Sequence, residues 1–379
     1  MLELLFLLLP VAAAYGWFMG RNSVKHQELK DRTNITKNLS SGLNFLLTDQ
    51  EDKAIEQLLH LLDIEAATID TYLALANLFR RRGDWDKAIR IHEKLHQLKL
   101  PKSQARQIQF ELAKDYQSAG LYDRAEKLLV PLVRQEPLQE ASLKHLIALY
   151  ISTHEWGKAL QLTDAVAATS SNSLRLALAN IGCEQLKQEE EDRASQALQS
   201  LAEQYPKAIR PRFELAELLL ANQQPKQAFA LYKSILHDKP QWAADILPLA
   251  KRCQVSDEDW YSLLSQLSHK HNNISAHIEL AGWLLQHGSD KAAEQLLLDK
   301  LQQQPNIRLF RTLLEQRKQS TAQGADALES VTELVANYLD KKVLYSCRNC
   351  GFKTRQHYWL CPSCQHWETV EPISGIDGR

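Results

Sequence analysis

The chain has 379 residues, of which 44% are hydrophobic and 24% charged, and its formal net charge is -1. This length predicts two or three folded units, and the near-neutral charge argues against a general attraction to nucleic acid. The 13 glycines are too few to favour phosphate-binding loops or many β-hairpins, so the composition favours a helical protein.

Residues 1–20 form an almost uncharged apolar segment that predicts a single transmembrane helix. Glu3 is its one acidic or basic residue before Arg21, and its length corresponds to roughly 28 Å of helix. Arg21 and Lys25 follow the segment, which predicts that the body of the chain faces the cytoplasm. A cleaved signal peptide ending in the alanines at 12–14 is the competing interpretation, but the positive region that should precede it is missing.

Small residues recur every four positions along this segment, at Ala12, Gly16 and Gly20. Such a ridge allows a second helix to approach closely, so we consider it a transmembrane packing surface. Chance occurrence in a span that contains alanine and glycine explains it equally well. A homodimer is therefore one of the candidate assemblies. Residues 21–34 are polar and form a predicted juxtamembrane linker.

The body contains an internal repeat. Residues 74–95, 111–132 and 214–236 share an early Leu-Ala, a polar turn and an alanine that opens a second helix. This alanine recurs at steps of roughly 34 residues, with one double step, which resembles the tetratricopeptide repeat. Its positions are Ala54, Ala88, Ala125, Ala159, Ala194, Ala228 and Ala293. We predict a repeat array over residues 35–305 and a capping helix pair over 306–342.

The first helices of such arrays line a concave groove that binds peptides or protein faces. The repeat phase predicts that this groove contains Asn77, Arg80, Phe110, Lys114 and Lys144. These residues would form a positive floor beside an aromatic ring, suited to an acidic segment or a chain-terminal carboxylate. An ordinary solvated face is the competing interpretation, because surface charges usually have no further role.

Residues 343–379 form a predicted metal-binding module with two C-x-x-C pairs. Cys347, Cys350, Cys361 and Cys364 have the spacing of a tetrathiolate site for one zinc or iron ion. A redox dithiol is the alternative, but two pairs favour a closed site, which leaves no open coordination position for catalysis. The remaining cysteines, at positions 183 and 253, are interpreted as small core residues.

The stretches YSCRNCGF and CPSC resemble the two knuckles of rubredoxin. Two features depart from rubredoxins: Gln365 stands where they carry glycine, and only ten residues separate the two pairs. These departures argue against electron transfer and favour a structural module docked on the repeats.

The sequence gives little support to two other classes of function. It contains no G-x-G-x-x-G, G-x-x-x-x-G-K-[ST], H-E-x-x-H or G-x-S-x-G motif, so we do not expect an enzyme. Arg348, Lys353, Arg355 and His357 make the knuckle locally basic. The near-neutral net charge and the predicted anchor nevertheless argue against a nucleic-acid partner.

The order of anchor, repeats and knuckle resembles the lipopolysaccharide assembly protein B family of Gram-negative bacteria. The opening MLELLFLLLPVAAAYGWFMGR and the closing CRNCGF and CPSC carry most of this resemblance. It implies an inner-membrane, non-enzymatic regulator with an all-α repeat solenoid and a rubredoxin-like module. It also implies that the FtsH protease and the committed-step lipid A deacetylase are partners, the first degrading the second. A platform that couples lipopolysaccharide synthesis enzymes to transport machinery remains the alternative.

Overall fold

The structure is a computed structural model that describes residues 17, 19, 69–187, 191–320 and 325–378. Most of the predicted anchor, its ridge at Ala12, Gly16 and Gly20, the linker and residues 35–68 lie outside the described residues. Across the described ranges, no helix combines the length and the apolar character that a bilayer span requires.

The chain divides into two compact units, residues 1–149 and 150–379. The helices described in the first unit are α1 (Ile69–Arg82), α2 (Trp85–His96), α3 (Lys102–Ser118) and α4 (Tyr122–Leu129), followed by a 3-10 turn at Val130–Arg134. Helix α5 (Gln139–Thr153) contains the boundary between the units.

The second unit continues with helices from residue 156 to residue 340. They are α6 (Trp156–Leu160), α7 (Thr163–Ala167), α8 (Asn172–Leu186), α9 (Glu191–Gln204), α10 (Arg210–Ala221), α11 (Pro225–Asp238), a 3-10 turn at Pro240–Trp242, α12 (Ala243–Lys251), α13 (Asp257–His271), α14 (Ile274–Gln286), α15 (Asp290–Gln303), α16 (Ile307–Ser320) and α17 (Ala325–Asp340). Consecutive helices pack as pairs, among them α1 with α2, α3 with α4, α10 with α11 and α14 with α15. The body is therefore mostly helical and built from repeated helix pairs.

The alanine that recurs in the sequence lies where the two helices of a pair meet. Ala88, Ala125, Ala159, Ala228 and Ala293 are fully buried, and Ala194 is 6% exposed. A larger side chain at these positions would push the two helices apart, because protein interiors leave few voids. The burial confirms the interpretation of these alanines as packing positions.

The turns between paired helices share a backbone motif that the sequence analysis did not predict. A residue one or two positions after the first helix adopts a left-handed conformation. The amide of the next residue then donates to a carbonyl five positions earlier, as in a Schellman motif. The left-handed positions are Gly83, Gly120, His154, Gln223 and Gly288. The shared turn gives the pairs a common geometry even where glycine is absent.

Residues 345–372 form a small antiparallel sheet with strand order β2-β1-β3. The strands are β1 (Tyr345–Cys347), β2 (Lys353–Thr354) and β3 (Val370–Pro372). Tyr345, Cys347, Cys361 and Val370 form its buried centre. Two metal-ligand candidates thus belong to the core of the module itself.

Acid should destabilise the protein through His277, a histidine of α14 that is 1% exposed. Burial lowers the pKa of its side chain to about 4 from 6.5. The folded state therefore holds His277 neutral, whereas the unfolded chain binds a proton as the pH falls below about 6.5. The contribution of His277 to the unfolding free energy is therefore fully present above about pH 6.5 and is lost as the pH falls towards 4. Between pH 7.5 and 5.0, His277 should account for about 2 kcal/mol of lost unfolding free energy.

Urea unfolding of His277→Gln at these two pH values measures the contribution. The variant should lose about 2 kcal/mol less than the parent protein on acidification. His271→Gln, at the exposed end of α13, is the matched control and should keep the parental pH dependence. Equal pH dependence in His277→Gln and the parent protein would contradict the assignment.

Candidate metal centre

The two C-x-x-C segments fold into the same kind of turn. Gly351 donates its amide N–H to the Cys347 carbonyl at 2.9 Å, and Gln365 donates to the Cys361 carbonyl at 2.9 Å. The amides of Cys347 and Cys361 donate in return, to residues 352 and 366. Gly351 and Gln365 are both left-handed. Each turn therefore directs a pair of thiols towards the other turn.

The four thiols converge at one point. The Sγ atoms of Cys347, Cys350, Cys361 and Cys364 all lie within 4.8 Å of one another. The Cys347–Cys364 and Cys350–Cys361 sulfur distances are 3.6 and 3.7 Å. A tetrahedron with metal–sulfur bonds of about 2.3 Å has edges of about 3.8 Å, whereas a disulfide requires about 2.05 Å. The residues therefore fit one tetrathiolate metal ion, as the spacing predicted.

Such an ion would crosslink two turns that the sheet alone holds weakly. Zinc and iron are both soft enough for four thiolates, and the geometry does not distinguish them. The four cysteines would fill a tetrahedral site, so its role would be structural.

Gln365 occupies the position in the second knuckle that Gly351 occupies in the first. Both residues adopt the left-handed conformation, with φ of 53° for Gln365 and 76° for Gly351. The departure from the rubredoxin pattern thus leaves the turn intact. A non-glycine residue in this conformation is strained by about 1 kcal/mol. Gln365→Gly should therefore stabilise the module by about 0.5–1 kcal/mol.

Thermal melting of the metal-loaded module in the full chain measures this gain. Gly351→Ala is the reciprocal variant and should destabilise the protein by about 1 kcal/mol. A Gln365→Gly variant that melts below the parent protein would disprove the strain.

The module is docked on the helices through a buried carboxylate, that of Glu368. Its oxygens accept hydrogen bonds from the backbone amides of Ile209, at 3.0 Å, and Arg210, at 3.1 Å. They also accept one from the Asn180 amide nitrogen at 3.1 Å. Burial raises the pKa of Glu368, and the hydrogen bonds from both backbone amides oppose that rise. Because Arg210 begins α10, Glu368 caps a helix whose first amides would otherwise be unsatisfied.

Arg210 lies fully buried beside this cap. Its guanidinium pairs with Glu184 at 2.7 Å and Glu214 at 2.6 Å. It also lies 5.9 and 5.7 Å from the ring centroids of Trp359 and Trp367, which is the geometry of cation–π contacts. Two carboxylates and two indoles thus stabilise a buried charge that would otherwise be costly.

Aromatic stacking joins the module to the helical core. Trp359 stacks on Trp242, with ring centroids 5.2 Å apart and an interplanar angle of 12°. It also contacts Phe213 edge-on at 5.5 Å. Tyr345 of β1 donates its hydroxyl to Asp245 of α12 at 2.6 Å. The prediction of a module docked on the repeats therefore agrees with these contacts.

The predicted client-binding residues in the first unit form an internal network instead of an open positive floor. Arg80 donates to Glu111 at 2.6 Å and to Asp115 at 2.7 Å, and it also contacts Asn77. Asp115 is fully buried and pairs with His92 as well. Two carboxylates thus offset the charge of Arg80, which corrects the charge expected for this face.

Phe110 is 7% exposed and packs edge-on against His145 at 5.3 Å, so it belongs to the core. Lys114 pairs with Glu111 at 2.8 Å. Hydrogen bonds from Lys114 and Arg80 lower the pKa of Glu111 despite the opposing effect of burial. Lys144 remains half-exposed, 2.6 Å from Glu140. Client binding by this face stays a prediction, with Lys144 its most accessible charge.

Sequence reasoning missed Glu368, Arg210 and Trp242, which connect the module to the helices. Their partners lie far away in sequence, so no local spacing identifies them. A weak signal was present in Glu368, an acidic residue that directly follows Trp367 in a small module. Cys183 and Cys253 are buried, and burial raises the pKa of both thiols. Their interpretation as core residues is confirmed.

Fold and site together define a helical-repeat scaffold that carries a closed tetrathiolate module. A family model described as a rubredoxin metal-binding domain matches residues 345–372. Lipopolysaccharide assembly protein B of Escherichia coli strain K12 is 30% identical over 388 residues, which cover 100% of both chains. The protein of the same name from Haemophilus influenzae is 32% identical and covers 99% of both chains. The chain belongs to the lipopolysaccharide assembly protein B family.

Among solved structures, the crystal structure of MamA protein is 20% identical and covers 48% of this chain and 96% of that one. Its TM-score is 0.35, which is too low to define the fold. The fold is therefore defined by the helix pairs themselves.

Proposed function

We propose that the chain is a membrane-tethered, non-enzymatic adaptor that regulates lipopolysaccharide assembly. It presents the committed-step lipid A deacetylase to the FtsH protease, which then degrades the deacetylase. The observation that carries this proposal is the full-length similarity to proteins named for lipopolysaccharide assembly. Helix pairs that bury their own core and a closed metal module are consistent with a binding scaffold.

The tether is the apolar segment at residues 1–20, and its task is to concentrate the scaffold beside a membrane protease. The basic residues Arg21 and Lys25 follow that segment and favour a body on the cytoplasmic side of the bacterial inner membrane. An anchor raises the effective concentration of membrane partners without any new contact. Other lipopolysaccharide synthesis or transport proteins of the same membrane are further candidate partners.

Depletion of the protein in cells, followed by the half-life of the deacetylase, tests the proposal. The half-life should lengthen on depletion and return to normal when the full chain is restored. A version that begins after Lys25 should fold but fail to restore it. An unchanged half-life after complete removal would reject the adaptor function and favour the assembly platform.

Lys144→Glu tests whether the face predicted from the repeats contacts the client. The side chain is 52% exposed, so charge reversal should leave the fold intact. Arg80→Glu is unsuitable, because it would remove the cation that Glu111 and Asp115 share and place a third carboxylate beside them. We expect Lys144→Glu to weaken pull-down of the deacetylase, whereas Lys226→Glu, on the exposed part of α11, should not. Equal pull-down by both variants would assign the client to another surface.

A further inference from the structure

The four cysteines of the metal centre differ in their distance from the protein surface. Cys347 and Cys361 are buried, whereas Cys364 is half-buried and Cys350 is exposed. The two residues before Cys350 are exposed as well, and the sulfur pair of Cys350 and Cys361 is only partly buried. Cysteines that hold a metal ion do so as thiolates. Because oxidants react most readily with accessible thiolates, Cys350 is the member of the site that they attack first.

The sulfur atoms of the two turns are close enough to pair with each other. The sulfur of Cys350 lies 3.7 Å from that of Cys361 on the opposite turn, and Cys347 lies 3.6 Å from Cys364 in the same way. A disulfide has a sulfur–sulfur distance of about 2.05 Å, so a small approach of the two turns closes it. A disulfide contains no thiolate, and its formation would deprive the metal ion of two of its four ligands.

The side chains that attach the module to the helices lie next to these ligands in the chain. Trp359 is two residues before Cys361, and Glu368 is four residues after Cys364. The amide of Glu368 also donates to the carbonyl of Trp359 at 2.7 Å, so the two attachments are joined. Trp359 stacks on Trp242, and the Glu368 carboxylate accepts hydrogen bonds from the first amides of α10. Loss of the metal ion would therefore disturb both attachments together.

We propose that the metal centre is a redox switch, in which oxidation of Cys350 and Cys361 to a disulfide expels the metal ion and frees the module from the helices. Hypochlorous acid represents the class of oxidant. The Cys350 thiolate attacks its chlorine atom and releases hydroxide, and the Cys361 thiolate then attacks the Cys350 sulfur and displaces chloride. The two thiolates thus lose two electrons, which reduce hypochlorous acid to chloride and hydroxide. The switch rests on the metal site alone and does not depend on the adaptor function.

Titration of the zinc-loaded full chain in detergent with hypochlorous acid tests the proposal. A chromogenic chelator should detect the release of about one zinc ion per chain. Mass spectrometry of the alkylated protein should identify a crosslink between Cys350 and Cys361. The near-ultraviolet circular dichroism of the stacked Trp359 and Trp242 should fall, while the far-ultraviolet helical signal persists. Dithiothreitol with added zinc should restore the first signal, because a disulfide is reduced by thiols whereas oxidised tryptophan is not.

Cys350→His removes the exposed thiol and keeps a ligand, because three cysteines and one histidine also form a structural zinc site. We expect this variant to need at least about fivefold more hypochlorous acid than the parent protein for half-release of zinc. Cys253→Ala is the matched control. It removes a buried thiol outside the module and should release zinc as the parent protein does. If Cys350→His does not retain zinc, the disulfide map of the parent protein decides the question.

Three results would overturn the switch. The first is full retention of zinc at about a tenfold excess of hypochlorous acid, which would show that the thiolates are protected. The second is release of zinc without a crosslink between Cys350 and Cys361, which would exclude the pair assigned here. The third is an unchanged near-ultraviolet signal after zinc has left, because the module would then stay on the helices without its metal ion.

Discussion

Replacement of Cys347 or Cys361 with serine should remove the metal and release the module from the helices. Both thiols are buried in the centre of the module, where a serine hydroxyl is a poor ligand for a soft metal ion. Without the ion, two turns and a three-stranded sheet must fold on their own. Metal binding contributes on the order of 10 kcal/mol in small structural zinc peptides, so this module should unfold locally.

Three measurements detect that release. Elemental analysis should fall from about one zinc or iron per chain to near zero. Limited proteolysis should begin to cut within residues 343–379, while the helical circular dichroism largely persists. Cys253→Ala, in the buried core of the second unit, is the control and should retain its metal. A variant lacking all four module cysteines that still held stoichiometric metal would disprove the site.

The metal centre was predictable because it is local. Two C-x-x-C turns fix two ligands each, and the short gap between them brings the turns together. The recurring alanines were predictable for a related reason, since one packing requirement repeats at a constant interval. Left-handed turns at His154 and Gln223 were not, because those residues carry no glycine signal and the flanking helices impose the conformation.

The charge of the predicted client face could not be derived from one helix. Arg80 lies in α1, but the two carboxylates that offset its charge, Glu111 and Asp115, lie in α3. Whether Phe110 is exposed depends on where α5 is placed, because His145 of α5 covers it. The contacts that dock the module could not be predicted either, because they join residues a hundred or more positions apart.

Removal of the Glu368 carboxylate should destabilise the protein more than any other single change to the interface between module and helices. Glu368→Ala leaves the amides of Ile209 and Arg210 without their acceptor and removes one of the two acceptors of the Asn180 side chain. Each buried donor left unsatisfied costs about 1–3 kcal/mol, so we expect a total loss of about 3–5 kcal/mol. Glu368→Gln keeps one acceptor oxygen but turns an amide group towards the helix terminus. It should cost about 1–3 kcal/mol.

The position of Glu371 provides a close comparison. It lies three residues further along, 3.6 Å from Arg348 and 4.0 Å from Lys239, and caps no helix. Glu371→Gln should lower the unfolding free energy by less than about 1 kcal/mol, because weak ion pairs near the surface contribute little to stability. Urea unfolding of the metal-loaded chains should separate the two positions, with Glu368→Ala retaining about one metal per chain because its four thiols are unchanged. If Glu368→Ala and Glu371→Gln unfold at the same urea concentration, the carboxylate cap does not hold the module on the helices. The aromatic contacts of Trp359 with Trp242 and Phe213 would then be the principal attachment.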